Sequence, residues 1–461
     1  MASSSIERRD VIVGLKWIAG HKSLAVLLLV ALTVRLAYMF VMVGDVNGDK
    51  LLSLAPDTIS YVNLAHGIIG DRPIAEDTLI IFGPGYGFFL AIIFFLFGTS
   101  PYPVLILQII LSSFGCLLIY ALGKELTESK SIGLLAGYLA ALSFTSVSLA
   151  NFILSDCLFF FLFLLGNVLF LLGMRHNRYW WHVGAGLSIG AAVLVRSIGQ
   201  FWPVIMLLLV FILPRSGRDR SWFAERRAVL KKAFLAPLIA LIIMGGWMTR
   251  NYVHYATPFL AFTTAGGPAN VATLTLAEIE HRDGGAIRDE WFAEYIKTTG
   301  NAVITRADEY RILSAAARRT FLRYPVPMIK TYMSLIWQNM NEENELHRAQ
   351  TPRLSDFFLR QIDWLHKHSL GYRSFWLTMA AFALMLFLRR WRLLIFLGSV
   401  YVYYAFLIGV TRWQGSRLFY PGQIAWSIAI AFLVITIGNL VMGLLRRRPA
   451  VRLGEKIDSA E

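Results

Sequence analysis

Cysteine and charged residues are scarce in this 461-residue sequence, which has two cysteines and 16% charged side chains. Cys116 and Cys157 both lie in apolar segments, so the sequence implies no disulfide framework. Soluble globular domains carry about a quarter charged residues, whereas here 56% of all residues are hydrophobic and the mean hydropathy is +0.57. These shortages exclude an ordinary soluble domain and indicate an integral membrane protein.

Acidic residues are also few, since 29 Asp and Glu stand against 44 Lys and Arg, which gives a formal net charge of +15. We interpret this excess as the Lys and Arg that anchor cytoplasmic loops, and we predict the lipid bilayer rather than nucleic acid as the partner. The basic N-terminus leads into a long apolar segment that lacks a small-residue cleavage site, which predicts an uncleaved first helix.

Long apolar stretches follow one another along the chain and predict an all-α, polytopic membrane protein. It has about ten transmembrane helices, together with in-plane interfacial helices. The apolar spans cover roughly residues 23–43, 102–122, 131–150, 156–173, 180–196, 199–213, 233–249, 371–388, 393–410 and 421–445. Two shorter runs, Tyr86 to Phe97 and Val326 to Met340, are ambiguous, because segments of that length are more often interfacial than spanning.

The basic clusters predict the orientation. If both ambiguous runs lie in the interface, every short basic loop, including the dense cluster from Arg215 to Lys232, is cytoplasmic. Both chain ends are then cytoplasmic, and in-plane helices lie near residues 57–68 and 86–98. We predict three regions: a transmembrane module (1–250) with a first outer loop (44–100), an outer region with interfacial helices (251–370), and C-terminal transmembrane helices with a basic cytoplasmic tail (371–461).

Six charged residues from distant parts of the chain fall at the same outer membrane face in this topology. A charge near membrane depth costs a few kcal/mol, so it usually has a partner or a function. Two acids and four arginines could neutralise one another, or they could hold an anion and carry out acid–base chemistry. The six are Asp57, Asp156, Arg196, Arg250, Arg412 and Arg417.

Each of these residues also has a structural interpretation, which the sequence leaves open. Asp57 could cap a helix over residues 58–67, and Asp156 could be stabilised by the dipole at a helix N-terminus. Arg196 and Arg250 end apolar spans, where arginine side chains extend towards the interface. Basic residues on the outer side break the positive-inside pattern, which favours a function for the arginines between the last two spans.

Several motifs resemble those of GT-C type glycosyltransferases that use polyprenyl-phosphate sugars, a group that includes protein O-mannosyltransferases and lipid A aminoarabinose transferases. Their order and common face carry the likeness. The motifs are Pro56-Asp57-Thr58-x-x-Tyr61, Gly83-Pro84-Gly85-Tyr86, Leu154-Ser155-Asp156-Cys157-Leu158, Val195-Arg196-Ser197-Ile198-Gly199, Trp247-x-x-Arg250-Asn251-Tyr252 and Arg417-Leu418-Phe419-Tyr420-Pro421. The chain departs from the pattern at Gly83, where aminoarabinose transferases have lysine, and at Thr58, where mannosyltransferases have glutamate.

The resemblance implies a membrane glycosyltransferase that moves a sugar from a polyprenyl-phosphate donor to an acceptor hydroxyl or phosphate, with inversion, and residues 1–250 would form its catalytic module. The acceptor would be a glycan, lipid or protein of the cell envelope. We predict Asp57 as the general base, supported by Asp156. The arginines Arg196, Arg250 and Arg417, with Arg412 as a weaker candidate, would bind the donor phosphate. Tyr61, Pro84, Tyr86 and Tyr420 would belong to the substrate pocket.

The remaining expectations concern cofactors, location and a rival function. No nucleotide-phosphate loop or Asp-x-Asp metal motif occurs in the sequence, which agrees with a lipid donor, and no cofactor is predicted. A divalent cation held by Glu76, Asp77 and His66 stays open. We expect the protein in the bacterial inner membrane with its site on the periplasmic face. The alternative is a transporter or flippase of lipid-linked sugars, which favours mid-span acids and internal symmetry.

Overall fold

Helices make up the regular structure of the protein throughout the part of the chain described by the computed structural model. This part comprises residues 22–43, 48–53, 55–74, 76–212, 229–341, 360, 372–410 and 417–446. No β-strand occurs within these ranges. The predicted all-α class is therefore confirmed.

The first region begins with a long apolar helix and continues into a set of short ones. Helix α1 (Lys22–Tyr38) runs on as a π-helical turn, Met39–Val43, and is followed by α2 (Gly48–Leu51), α3 (Pro56–Ile69), α4 (Glu76–Ile81) and α5 (Gly85–Phe97). Pro56 occupies the first turn of α3, where its missing N–H costs nothing, and Gly70 ends the helix with a φ of 89°. Helices α3 and α5 coincide with the two segments predicted as in-plane helices.

Seven further helices follow among the described residues up to position 255. They are α6 (Pro101–Thr127), α7 (Lys130–Ala141), α8 (Phe144–Leu149), α9 (Ser155–His176), α10 (Tyr179–Val195), α11 (Trp202–Ile212) and α12 (Leu235–Tyr255). The predicted span 131–150 is interrupted between α7 and α8, where Ser143 is extended and begins the next helix. Serine favours this position because it competes for backbone hydrogen bonds.

The described residues of the second half of the chain are also helical. Residues 263–341 contain α13 (Thr263–Glu280), α14 (Gly284–Thr299), α15 (Arg306–Arg323) and α16 (Pro325–Asn341). Thr305 and Asp308 form a capping box at the start of α15. The chain then forms α17 (Tyr372–Phe387), α18 (Trp391–Leu407) and α19 (Gln423–Arg446).

Among the residues that the structure describes, six helical segments are long and apolar enough to cross a membrane, which identifies an integral membrane protein. They lie at 22–41, 101–127, 155–176, 229–255, 391–410 and 420–444. The predicted number of about ten spans is not confirmed. The other predicted spans contain apolar helices of 10–17 residues.

A buried arginine joins the first helix to three segments of the bundle. Arg35 is fully buried, and its Nε donates to Oγ of Ser112 in α6 at 2.8 Å. The Nη1 atom donates to the carbonyl of Ala141 at the end of α7 at 3.2 Å, and Nη2 donates to Oγ of Ser146 in α8 at 2.7 Å. Because a cation is favourable at a helix C-terminus, Arg35 stabilises the point at which α7 ends.

Replacing Arg35 is expected to destabilise the bundle without touching its outer face. Arg35→Ala removes the donors and leaves a cavity, so the free energy of unfolding should fall by about 3 kcal/mol. Thermal unfolding of the purified protein in detergent measures this, with Arg178→Ala as the matched control, because Arg178 is exposed. Equal midpoints for the two variants would show that Arg35 does not support the bundle.

Candidate functional site

Two acids and two arginines meet where four separate segments of the chain converge. Nη2 of Arg417 lies 3.0 Å from Oδ2 of Asp57 and 3.1 Å from Oδ2 of Asp156. The Nε atom of Arg417 donates to the same oxygen of Asp156 at 3.2 Å. Arg196 forms an ion pair with the other carboxylate oxygen of Asp156 through Nη1. We call these four residues the charge cluster.

Local helix geometry directs each member towards the others. Asp57 and Asp156 stand in the first turns of α3 and α9, and Arg196 follows the last residue of α10 in an extended conformation. Arg417 precedes the 3₁₀ turn that leads into α19. The N-cap of α3 is Ala55, so Asp57 is not the cap, and its carboxylate accepts a hydrogen bond from Arg417 instead.

Two hydrogen bonds fasten α3 to the linker that precedes Asp156. Oγ1 of Thr58 donates to the carbonyl of Ile153 at 2.9 Å, and the hydroxyls of Tyr61 and Ser155 lie 3.0 Å apart. Burial raises the pKa of Tyr61 to about 12, so its phenol stays protonated. The position at which mannosyltransferases have glutamate thus holds a threonine with a structural contact.

Gln108 is a buried polar residue that the sequence analysis missed. Its amide nitrogen donates to the carbonyls of Ala150 and Phe152 at 3.3 and 2.6 Å, and its Oε1 accepts from the hydroxyl of Tyr86 at 2.7 Å. These bonds join α5 and α6 to the linker between α8 and α9. A polar side chain within an apolar span is the signal that could have identified it.

The two carboxylates of the cluster favour the charged form of Arg417. Arg417 is buried, and burial by itself disfavours its charge, but the carboxylates of Asp156 and Asp57 outweigh that effect and raise the pKa of the guanidinium. The two acids and two arginines of the cluster balance formally. An added anion would therefore have to share or replace one of the existing ion pairs.

The charge cluster borders a cavity of about 320 Å³. Asp57, Arg196 and Arg417 line it on one side. The start of α13 contributes Thr263 and Thr264, while the remaining lining is mostly apolar. The lining residues are Asp57, Tyr61, Phe82, Arg196, Ser197, Ile198, Gln200, Phe201, Thr263, Thr264, Gly267, Pro268, Leu407, Val410, Arg417 and Leu418. This is space for a polar group beside two cations and a carboxylate.

An apolar groove of about 460 Å³ adjoins the cavity between α11 and α18. Phe201 and Leu407 line both spaces, so the groove continues from the cavity. The other groove residues are Ile205, Leu208, Leu209, Ile212, Ser399, Val402, Tyr403 and Phe406. Their side chains suit a hydrocarbon chain.

Tyr403 fixes the chain at the junction of the cavity and the groove. Its hydroxyl donates to the carbonyl of Ile198 at 2.6 Å and accepts from the backbone N–H of Phe201 at 3.2 Å. These bonds satisfy backbone groups at the break between α10 and α11, which directly follows Arg196. Such a break is tolerated at membrane depth when its polar groups find partners.

The structure places Arg250 apart from the charge cluster. Its Nη1 donates to Oδ1 of Asn251 at 3.0 Å, and its guanidinium lies over the rings of Trp247 and Tyr255. It does not line the cavity. Arg412 lies outside the described residues.

Three residues predicted for the substrate pocket do not line the cavity, whereas Tyr61 does. Pro84 is buried at the start of α5, and Tyr86 is buried against Gln108. The ring of Tyr420 stacks on Phe160. Their contacts are with neighbouring helices and the charge-cluster segments, and a part in substrate binding stays a prediction for each.

Gly83 explains one departure from the aminoarabinose transferase pattern. It has a φ of +98°, and a Cβ atom there would lie 2.7 Å from the carbonyl oxygen of Leu194. A lysine would therefore require a different backbone. This close approach lays the start of α5 against the end of α10, next to Arg196.

The open prediction of a cation concerns α4 and the neighbouring end of α3. No group of three or more His, Cys, Asp or Glu side chains arranged to hold a metal ion occurs within the ranges the structure describes. Nδ1 of His66 lies 3.0 Å from Oδ2 of Asp71. The side chains of Glu76 and Asp77 are outside the described part, so the cation stays a prediction.

The sequence and the fold are similar to those of known membrane transferases. The profile of the dolichyl-phosphate-mannose-protein mannosyltransferase family matches residues 82–247. No curated protein matches the sequence at a significant level. The structure resembles ArnT from Cupriavidus metallidurans bound to undecaprenyl phosphate, with 14% identity, a TM-score of 0.39, and coverage of 94% of this chain and 82% of ArnT.

The fold also resembles the archaeal oligosaccharyltransferase AglB from Archaeoglobus fulgidus, solved with an inhibitory peptide and a dolichol-phosphate, at 15% identity and a TM-score of 0.54. The match covers 96% of this chain and 53% of AglB, so the chain spans about half the length of that enzyme. The same enzyme tethered to an acceptor peptide gives 15% identity, a TM-score of 0.53, and coverage of 96% and 53%. The chain is therefore similar in fold to the GT-C type membrane glycosyltransferases, as its motifs predicted.

Proposed function

We propose that the protein is a membrane glycosyltransferase that moves a sugar from a polyprenyl-phosphate donor to an acceptor hydroxyl or phosphate, with inversion. The observation that carries this proposal is the charge cluster, because it sets a carboxylate beside two arginines at the wall of a cavity. The family match over residues 82–247 and the GT-C fold support it. We place the site on the outer face of a bacterial inner membrane.

The two arginines of the cluster suit the donor phosphate. Arg196 and Arg417 both line the cavity, and Asp156 holds them side by side through its two carboxylate oxygens. Guanidinium groups match phosphate oxygens in geometry and keep their charge. Fixed cations also stabilise the phosphate as negative charge develops on it during departure.

Asp57 is the better placed of the two acids to act as general base. Its side chain is 26% exposed and faces the cavity, whereas the side chain of Asp156 is 3% exposed and bound to both arginines. The Asp57 carboxylate takes the proton of the acceptor hydroxyl as the acceptor oxygen attacks the anomeric carbon of the sugar. The bond from that carbon to the phosphate oxygen breaks, and its electron pair leaves with the polyprenyl phosphate.

The apolar groove accounts for the lipid part of the donor. It begins at Phe201 and Leu407, which also line the cavity, and it continues between α11 and α18. A phosphate bound by the arginines would place the first isoprene units at this opening. Burial of apolar chain there supplies binding free energy at about 25 cal/mol per Å². The acceptor, a cell-envelope glycan, lipid or protein, would approach Asp57 from the outer region.

Asp57→Asn should abolish transfer while leaving the protein folded. The amide keeps the shape of the side chain but cannot accept the proton, so kcat should fall by about 10²–10⁴. Release of sugar from a polyprenyl-phosphate sugar, followed with purified protein and envelope extract as the acceptor source, measures the rate. Asp71→Asn is the control, because Asp71 is exposed at the end of α3. Turnover of Asp57→Asn at the wild-type rate would remove Asp57 from the mechanism.

Lysine substitutions distinguish the arginines that bind phosphate from one that is structural. Arg417→Lys and Arg196→Lys should each weaken donor binding and slow turnover by about tenfold or more, because an ammonium cannot form two parallel hydrogen bonds. Arg250→Lys should keep most of the activity, since its guanidinium lies over aromatic rings outside the cavity.

Donor affinity and turnover of the three lysine variants provide the measurement. Full activity of both Arg196→Lys and Arg417→Lys would contradict the phosphate site. Loss of donor binding in Arg250→Lys alone would instead move the phosphate towards α12. A flippase would move the lipid-linked sugar between leaflets and leave the sugar–phosphate bond intact in every variant.

Filling the apolar groove should weaken binding of long donors selectively. Leu208 lines the groove and is 59% exposed, so Leu208→Trp can occupy the path of the lipid without disturbing the core. We expect the KM for a polyprenyl-phosphate sugar to rise about tenfold, which corresponds to losing one buried side-chain equivalent of apolar contact. The KM for a donor with a single short isoprenoid should stay unchanged.

The matched control is Leu187→Trp, since Leu187 is 53% exposed on α10 and does not line the groove. An equal change of KM for the long and the short donor, or an equal effect of the control, would contradict the assignment of the groove to the lipid.

A further inference from the structure

We propose that Asp57 and the phosphate of the donor compete for Arg417, so that the base loses its ion-pair partner only when the donor is bound. The inference rests on the function proposed above and adds a regulation of the same site. It follows from the unequal way in which the two acids hold one guanidinium.

The shared atom is Nη2 of Arg417. It lies 3.0 Å from Asp57 and 3.1 Å from Asp156, so one nitrogen serves two carboxylates. Asp156 has a second contact with Arg417 through Nε at 3.2 Å and an ion pair with Arg196 as well. Within the described residues, Asp57 has this one ion pair. Asp57 is therefore held by a single contact, whereas Asp156 is held by both arginines.

Exposure points to the same link. The side chain of Asp57 is 26% exposed, and that of Asp156 is 3% exposed. Water can solvate the Asp57 carboxylate when it loses its partner. Asp156 is buried away from water, so losing its partners would leave an unpaired charge in the interior, which is costly. An incoming anion that needs a guanidinium therefore displaces Asp57 and leaves Asp156 in place.

The cavity would place such an anion beside Nη2 of Arg417. Arg196, Arg417 and Asp57 all line it, so a phosphate there lies against both guanidiniums and the carboxylate. Phosphate and arginine form charge-assisted, often bidentate hydrogen bonds. Asp156 would keep its contact with Nε of Arg417 while Nη2 turned to the phosphate.

The exchange alters the chemistry of Asp57. While the ion pair holds, Oδ2 of Asp57 is engaged by Nη2 of Arg417. When the phosphate takes over Nη2, this oxygen becomes available to accept the hydrogen bond of the acceptor hydroxyl. The donor would then bind before the acceptor is positioned against Asp57.

A double-mutant cycle on donor-phosphate affinity tests the competition. The probe is undecaprenyl phosphate, and its dissociation constant is measured by titration into the full-length protein in lipid nanodiscs. The four proteins are wild type, Asp57→Asn, Arg417→Gln and the double variant. If Asp57 competes for Arg417, Asp57→Asn binds the probe at least about fivefold more tightly than wild type, although it is inactive. In the Arg417→Gln background the same change has less than a twofold effect.

The other outcomes separate the competition from its alternatives. Equal tightening in both backgrounds means general repulsion between carboxylate and phosphate, which overturns the inference. Equal affinity of wild type and Asp57→Asn for undecaprenyl phosphate also overturns the competition but leaves the donor site in place. This comparison needs no Arg417 variant, so it can be made even if Arg417→Gln does not fold. Failure of wild type to bind the probe overturns the proposed donor itself. Asp71→Asn, which lies outside the cluster, should bind like wild type.

Discussion

The ion pairs of Asp156 are the constraint on which the candidate site depends. One buried carboxylate binds Arg196 at the end of α10 and Arg417 before α19, and so it joins the first half of the chain to the last helices. Burying a charge is costly unless it is paired and hydrogen-bonded. Within the described residues, Asp156 is paired through these two arginines, and Arg417 has Asp57 as a second partner. Removing Asp156 would take the paired carboxylate from Arg196 and leave Arg417 with Asp57 alone. The same pairing explains why segments more than 200 residues apart meet at one cavity.

Buried polar side chains within the helices support this arrangement. Gln108 and Thr58 donate to backbone carbonyls of the linker between α8 and α9, and Arg35 donates to the end of α7, which precedes α8. Ser146, which accepts from Arg35, also lies 3.3 Å from the hydroxyl of Tyr420, a few residues after Arg417. Within an apolar bundle such bonds have few competitors, so they fix the linker that presents Asp156.

The sequence predicted the class of the protein and much of the site, for identifiable reasons. Apolar length and charge distribution were enough for a helical membrane protein, and the resemblance in ordered motifs anticipated the fold. Asp57, Asp156, Arg196 and Arg417 do meet, as their common face predicted, while their chemical roles stay proposals. Arg250 lies elsewhere, because the end of a span does not reveal which way a long side chain turns. The Arg250 guanidinium lies over two aromatic rings of its own helix.

Other features could not be read from the sequence because they depend on distant partners. The buried residues Arg35 and Gln108 are visible within apolar spans, but their partners come from helices and linkers that only the tertiary structure brings near. The predicted count of about ten spans is not confirmed for a related reason, since hydropathy registers the apolar stretch 131–150 and not the break at Ser143. Breaks of this kind are decided by hydrogen bonds across helices.

Tyr403 has a mechanical consequence for the whole region. Because its hydroxyl binds two backbone groups within the break between α10 and α11, those of Ile198 and Phe201, it ties helix α18 to the turn after Arg196. A sideways displacement of α18 by anything wedged into the groove is therefore transmitted to the backbone next to Arg196. The distance between the apolar groove and the backbone of Arg196 is thus held by covalent geometry and two hydrogen bonds. In the proposed function, this distance would fix where the polar head of the lipid ends and its hydrocarbon chain begins.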